Sequence, residues 1–204
     1  VQELGPYATV NTAQAFVTGI VWDSLVDPHE ETKIWLATEN GLYYINGDAS
    51  PVRFSTPDNQ LMSPNRVLIS RRNEIWVGTI SGLFKIVDGV AEEIRCNDKL
   101  SFGYVYALSL DQADRIWVGT LGRGVWTEAD NTFEPLLNDW LTAYSNTYAI
   151  AHHDSGQSLI IQENRIILLD AARNAQLLQT ENPVGGWSAV WLNDHMAAIG
   201  SNNG

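Results

Sequence analysis

Two arginines, four aromatic residues and two asparagines have the types and positions needed to recognise a small molecule. Arg66 and Arg123 carry planar guanidinium forks that suit a carboxylate or a sulfate. Tyr104, Trp140, Tyr144 and Trp187 offer flat amphipathic faces for a sugar ring or an apolar ligand. Asn65 and Asn146 can both donate and accept hydrogen bonds. These groups hold and orient a ligand; none of them breaks bonds unaided. They lie in or beside "DNQLMSPNR" (58–66), "NDKLSFGY" (97–104), "NDWLTAYSNT" (138–147) and "NPVGG" (182–186), or in short turns at 39–40, 80–81, 121–123 and 163–164. Such segments vary while the stretches between them repeat, and function resides in the variable parts.

The histidines make a weaker case. His152 and His153 adjoin Asp154 in "AHHDSG", which invites a metal or acid–base reading. Neighbours on a strand point to opposite faces, so the pair is poorly placed to share one ion. Asp154 also aligns with Asp111, a turn residue of the preceding repeat. His29, in "DPHEETK", belongs on the face opposite the variable loops. No nucleophile elbow, phosphate loop or zinc spacing occurs. The expectation is no catalytic residue, no metal and no cofactor. The single cysteine, Cys96, rules out an intrachain disulfide and reads as a small buried or edge residue.

The elements that must position these residues repeat along the chain. "IWVGT" occurs at 75–79 and at 116–120, and "IWLAT" at 34–38, each step being 41 residues. Weaker copies start at Leu159 and Ala197, after steps of 43 and 38 residues. A fixed period of this size means a solenoid, a propeller or an array. In the third repeat, "YVYALSL", "IWVGT", "GVWTE" and "TFEPL" read as strands separated by turns rich in Gly, Asn and Asp. No segment sustains a helical apolar period. The expected fold is all-β: a propeller of about five four-stranded blades in one domain, 1–204. Trp35, Trp76 and Trp117 take one position in successive copies and should pack between blades.

The two ends complement each other. "IGSNNG" stops where a third strand should begin, and the first residues, "VQELGPYATV", align with the third and fourth strands of other repeats. Either the N-terminus completes the last blade, or the chain is a fragment of a larger array. The absence of an initial Met, signal peptide or apolar span fits a processed fragment in both cases.

A net charge of −12 argues against nucleic acid and against docking on anionic lipid. "DQADRIWVGTLGRGVW", "RRNEIWVGTISGLFKI" and "TKIWLATENGLYYI" resemble the two-component regulator propeller repeat. Val105, Leu108, Asp111, Ile116, Trp117, Gly119 and Thr120 match its pattern; the first repeat departs from it with Ala37, and the last two lack the Trp. The resemblance implies the periplasmic or extracellular sensing part of a bacterial inner-membrane receptor, with a small-molecule or carbohydrate ligand in an axial funnel. The partner in that case is an output domain of kinase, hybrid-regulator or diguanylate-cyclase type. Two other readings stay open: a protein–protein interaction scaffold, and a propeller enzyme like the streptogramin lyases.

Overall fold

The computed structural model describes residue 17 and residues 19–55, 61, 63–96, 100–130, 132–136, 141, 145–178 and 186–201. Every regular element among them is a strand. The first sheet is β1 (Val21–Val26), β2 (Lys33–Thr38), β3 (Gly41–Asn46) and β4 (Val52–Arg53), antiparallel and paired in chain order. The second is β5 (Pro64–Ile69), β6 (Ile75–Thr79), β7 (Leu83–Val87) and β8 (Val90–Cys96), extended by the short β9 (Leu100–Ser101). The third holds β10 (Val105–Leu110), β11 (Ile116–Thr120), β12 (Val125–Ala129) and β13 (Thr132–Pro135). The fourth holds β14 (Thr147–His152), β15 (Ser158–Gln162), β16 (Arg165–Leu169) and β17 (Ala175–Leu178). The fifth has two strands among the described residues, β18 (Gly186–Asn193) and β19 (Met196–Ser201). Residues 1–16 and 202–204, expected to complete that sheet and close the ring, lie outside the described residues.

Each inner strand packs against the inner strand of the next sheet, from β1 through β5, β10 and β14 to β18. Among the described residues the apolar interior is accordingly four layers, each shared by two consecutive sheets. Trp35, Ala37 and Leu42 of the first sheet meet Val67, Val77 and Phe84 of the second. Trp76 and Leu83 meet Val105, Val118 and Phe133. Trp117 and Val125 meet Ile150, Ile160 and Ile167, and Leu159 and Ile161 meet Trp191 and Ile199. The repeated Trp therefore packs between blades. The Gly that follows it sets how closely blades approach. A Cβ on Gly78 would lie 2.7 Å from Val105 Cγ1, and one on Gly119 would lie 2.8 Å from Thr147 Cγ2 and 3.0 Å from the Thr147 carbonyl oxygen.

The buried indoles need acceptors. Asp27 Oδ2 accepts from Trp35 Nε1 and Asp111 Oδ2 from Trp117 Nε1, both at 3.1 Å. The second repeat has Ser70 in the place of these aspartates, and Trp76 Nε1 is buried with no acceptor among the described residues. In the layer between the third and fourth sheets, His152 lies edge-on to Trp117 at 4.9 Å. Its Nε2 is 3.0 Å from Ser109 Oγ and its Nδ1 2.8 Å from Ser158 Oγ. Burial pushes its pKa down to about 4; the Asp111 carboxylate opposes this and Arg115 adds to it.

Two tests follow from this packing. Gly119→Ala forces a methyl group against neighbouring backbone and should cost about 1–3 kcal/mol in chemical denaturation. For His152, the folded value of about 4 lies below the unfolded value of 6.5. The unfolded chain therefore binds the extra proton first as pH falls. Stability that is intact above pH 6.5 should decline down to about pH 4, by up to about 3 kcal/mol at about 1.4 kcal/mol per unit. Melting curves of His152→Gln across that range should lack this component.

Candidate functional site

In all five sheets the inner strand slips by one residue against its partner near its start. The slips fall between Val21 and Asp23, Pro64 and Arg66, Val105 and Ala107, Thr147 and Ala149, and Gly186 and Ser188. The bulged residues are Trp22, Asn65, Tyr106, Tyr148 and Trp187. A bulge takes one residue out of the ladder and re-aims its side chain. Five bulges at one level bring side chains from separate blades together. Tyr106 and Tyr148 pack edge-to-face at 5.2 Å, and Tyr148 meets Trp187 at 4.7 Å. Tyr106 also reaches Trp187 at 6.1 Å, across the whole intervening blade. That contact requires the rings to converge on the axis. Tyr104 stacks on Tyr106 at 4.3 Å with the planes 7° apart.

The polar half of the cluster comes from the first two blades. Asp23 Oδ2 accepts a hydrogen bond from Val67 N at 3.0 Å, linking β1 to β5. Burial raises the pKa of Asp23, and the Arg66 charge works against that rise. Burial lowers the pKa of Arg66, with Asp23 as the main opposing influence. Arg66 Nη1 donates to the Asn65 carbonyl at 2.6 Å, which aims the guanidinium. Asn65 Nδ2 donates to the Val105 carbonyl at 2.7 Å, while its Oδ1 is buried without a donor among the described residues. Burial, then the nearby Tyr104, hold the Tyr106 hydroxyl above its ordinary pKa, so it stays neutral. The result is a charged fork backed by a carboxylate, beside a run of aromatic faces of which Trp187 is 42% exposed.

Of the residues singled out in the sequence, Asn65, Arg66, Tyr104 and Trp187 belong to this cluster. Arg123, in the turn between β11 and β12, instead interacts with Cys96 at the end of β8. Asn146 donates to Glu163 Oε2 at 3.2 Å, bridging a loop and a turn of the fourth blade. Trp140 and Tyr144 lie outside the described residues. Asp23, Trp22, Tyr106 and Tyr148 were missed because they sit in strands that read as interior. The available signal was an aromatic residue at the same place in "VWD", "VYA", "TYA" and "GWS". The histidine alignment also shifts by one. His153 N donates to Gln157 O as Asp111 N does to Arg115 O, so His153 takes the Asp111 place and Asp154 does not. His153 sits against Trp191 at 4.8 Å, in a turn on the opposite face from the axial cluster.

Residues 99–122 match the Two component regulator propeller family. The chain carries that propeller repeat. No curated protein is significantly similar to it in sequence. Solved structures of like fold include an extracellular domain described as that of a one component system from B. thetaiotaomicron. It has a TM-score of 0.72 and 18% identity, over 84% of this chain and 25% of that one. The extracellular domain of a hybrid two component system from the same organism gives 0.63 and 22%, over 78% and 23%. Virginiamycin B lyase from Staphylococcus aureus gives 0.64 and 16%, over 88% and 67%. At these identities the likeness establishes the propeller fold. The chain spans about a quarter of each extracellular domain, and the fold serves sensors and an enzyme alike.

Proposed function

We propose that the chain is the ligand-sensing propeller of an extracytoplasmic bacterial receptor, and that the axial cluster takes a small molecule or a carbohydrate. The observation that supports this most directly is the convergence of Tyr106, Tyr148 and Trp187 from three blades beside the Asp23-backed Arg66. In this reading a ligand ring stacks on Tyr148 and Trp187, and an oxygen of the ligand accepts from Arg66. Such a ligand touches inner strands of separate blades at once. It therefore favours one blade packing over another, and an attached output domain reads that bias. The family of the matched repeat and the extracellular origin of two like folds support the same reading.

A second reading, an interaction scaffold, has its own observation. Val190, Leu192 and Met196 of the last sheet are 54%, 57% and 53% exposed, and apolar surface of that kind also suits a protein partner.

The experiment is a thermal-shift titration with D-glucuronate and N-acetylglucosamine. A binder of the folded state raises Tm by mass action, by about 2.7 kcal/mol of stability at 100 times Kd. We expect a saturable rise with at least one sugar, and at least tenfold weaker binding in Arg66→Ala and in Trp187→Ala. A rise of equal size in both variants would remove the axial cluster from the function. No rise with either sugar would favour the scaffold.

A further inference from the structure

The face opposite the axial cluster carries a second concavity. It lies among the turns that join first to second strands and third to fourth strands. A cavity of about 300 Å³ is lined by Asp111, Arg115, Trp117, His152, Ser158 and Arg173, among others. A wider one of about 530 Å³ adjoins it and shares Arg115 and Arg173. We propose that this groove is a second binding site, in which the Arg173 guanidinium, lying over Trp117, takes the carboxylate of a small organic acid.

The three repeated tryptophans make the comparison that points there. Each is capped by a cation: Lys33 over Trp35 at 5.1 Å, Lys85 over Trp76 at 5.3 Å, and Arg173 over Trp117 at 5.5 Å. Lys33 is also paired with Glu30 and Lys85 with Glu74. Arg173 forms no ion pair among the described residues. Two carboxylates, Asp111 and Glu134, bear on Arg173 without forming an ion pair with it, and Asp111 is already engaged. Its Oδ2 accepts from Arg115 Nε at 2.7 Å, lies 2.6 Å from Arg115 Nη2, and accepts from Trp117 Nε1. Arg173 thus stands half-buried beside a second guanidinium. Burial first, and Arg115 second, push its pKa down. A bound carboxylate would supply what Glu30 and Glu74 supply to the other two cations.

The backbone points the same way. Turns 70–74, 111–115, 153–157 and 170–174 share one pattern, with the first N–H donating to the fifth carbonyl and the fourth N–H to the first. The fourth residue takes a left-handed conformation in each: Asn73 at φ 61°, Asp114 at 59°, Gly156 at 86° and Arg173 at 65°. Asn, Asp and Gly tolerate that region and Arg does not. Turn 170–174 joins β16 to β17 whereas the other three join first to second strands, and of the four only it places a long side chain in the strained conformation, which points to a residue kept for something other than stability. A cavity of about 300 Å³ also exceeds a bare inorganic anion and suits an acid with an organic body.

The test uses the full chain and sodium benzoate, sodium glutarate and sodium sulfate at matched ionic strength, followed by calorimetry. We expect saturable binding of at least one organic acid, tenfold or more tighter than sulfate. Arg173→Asn should weaken it at least tenfold yet melt no lower than the parent, because Asn suits the turn. Arg173→Lys, which keeps the charge and loses the fork, should also weaken it. Arg66→Ala should leave it unchanged, which separates this groove from the axial cluster. No saturable binding of either acid, equal binding by Arg173→Asn, or sulfate binding as tightly would each overturn the proposal. So would a lower Tm in Arg173→Asn, which would make Arg173 a structural cap of Trp117.

Discussion

Blade-to-blade contact through the second strand is the constraint on which the rest of this structure depends. A four-stranded sheet has two apolar faces and no means of covering either alone. Here the facing sides of consecutive sheets cover each other, and the approach is close enough that Gly78 and Gly119 have no room for a side chain. The flanking residues follow from that. Trp35, Trp76 and Trp117 fill the space farther along the same strand, and Asp27 and Asp111 satisfy two of the three indoles. Among the described residues the buried apolar side chains form four layers, each joining two neighbouring sheets.

The same stacking produces the axial cluster. Inner strands held side by side bring their bulges to one level. A bulge in a lone hairpin would only bend it. Five bulges in register take one residue per blade out of the ladder at one level, an aromatic residue in four blades and Asn65 in the second. Arg66 stays useful there because Asp23 of the neighbouring blade offsets the cost of removing its charge from water.

The opposite face is joined by polar contacts that step around the arc. His29 Nε2 lies 3.4 Å from the Ser70 carbonyl, Arg71 N donates to Asp114 Oδ1, and Gln112 Nε2 donates to the His153 carbonyl. His153 in turn lies 3.4 Å from Asp194. Each link joins corresponding turns of adjacent blades, about one repeat apart. The face is therefore tied together by the turns between first and second strands, and Arg173 lies beside them in the turn between β16 and β17.

The sequence by itself determined the repeat, the all-β class, the strand order within each blade and the burial of the three tryptophans. Those properties are local or periodic: a β-rich pentamer and a Gly-bearing turn carry them without reference to distant residues. It also indicated Asn65, Arg66, Tyr104 and Trp187, because they sit at or beside variable loops. Only the tertiary structure decided which of the candidates meet. Arg123 looked equivalent to Arg66, yet it interacts with Cys96 at the end of an outer strand. Tyr106 and Tyr148 looked like interior strand residues, yet a one-residue slip turns them to the axis. The slip is set by strand pairing within each blade and radial position by packing between blades about 40 residues apart, and a one-residue slip reverses the face that a side chain presents.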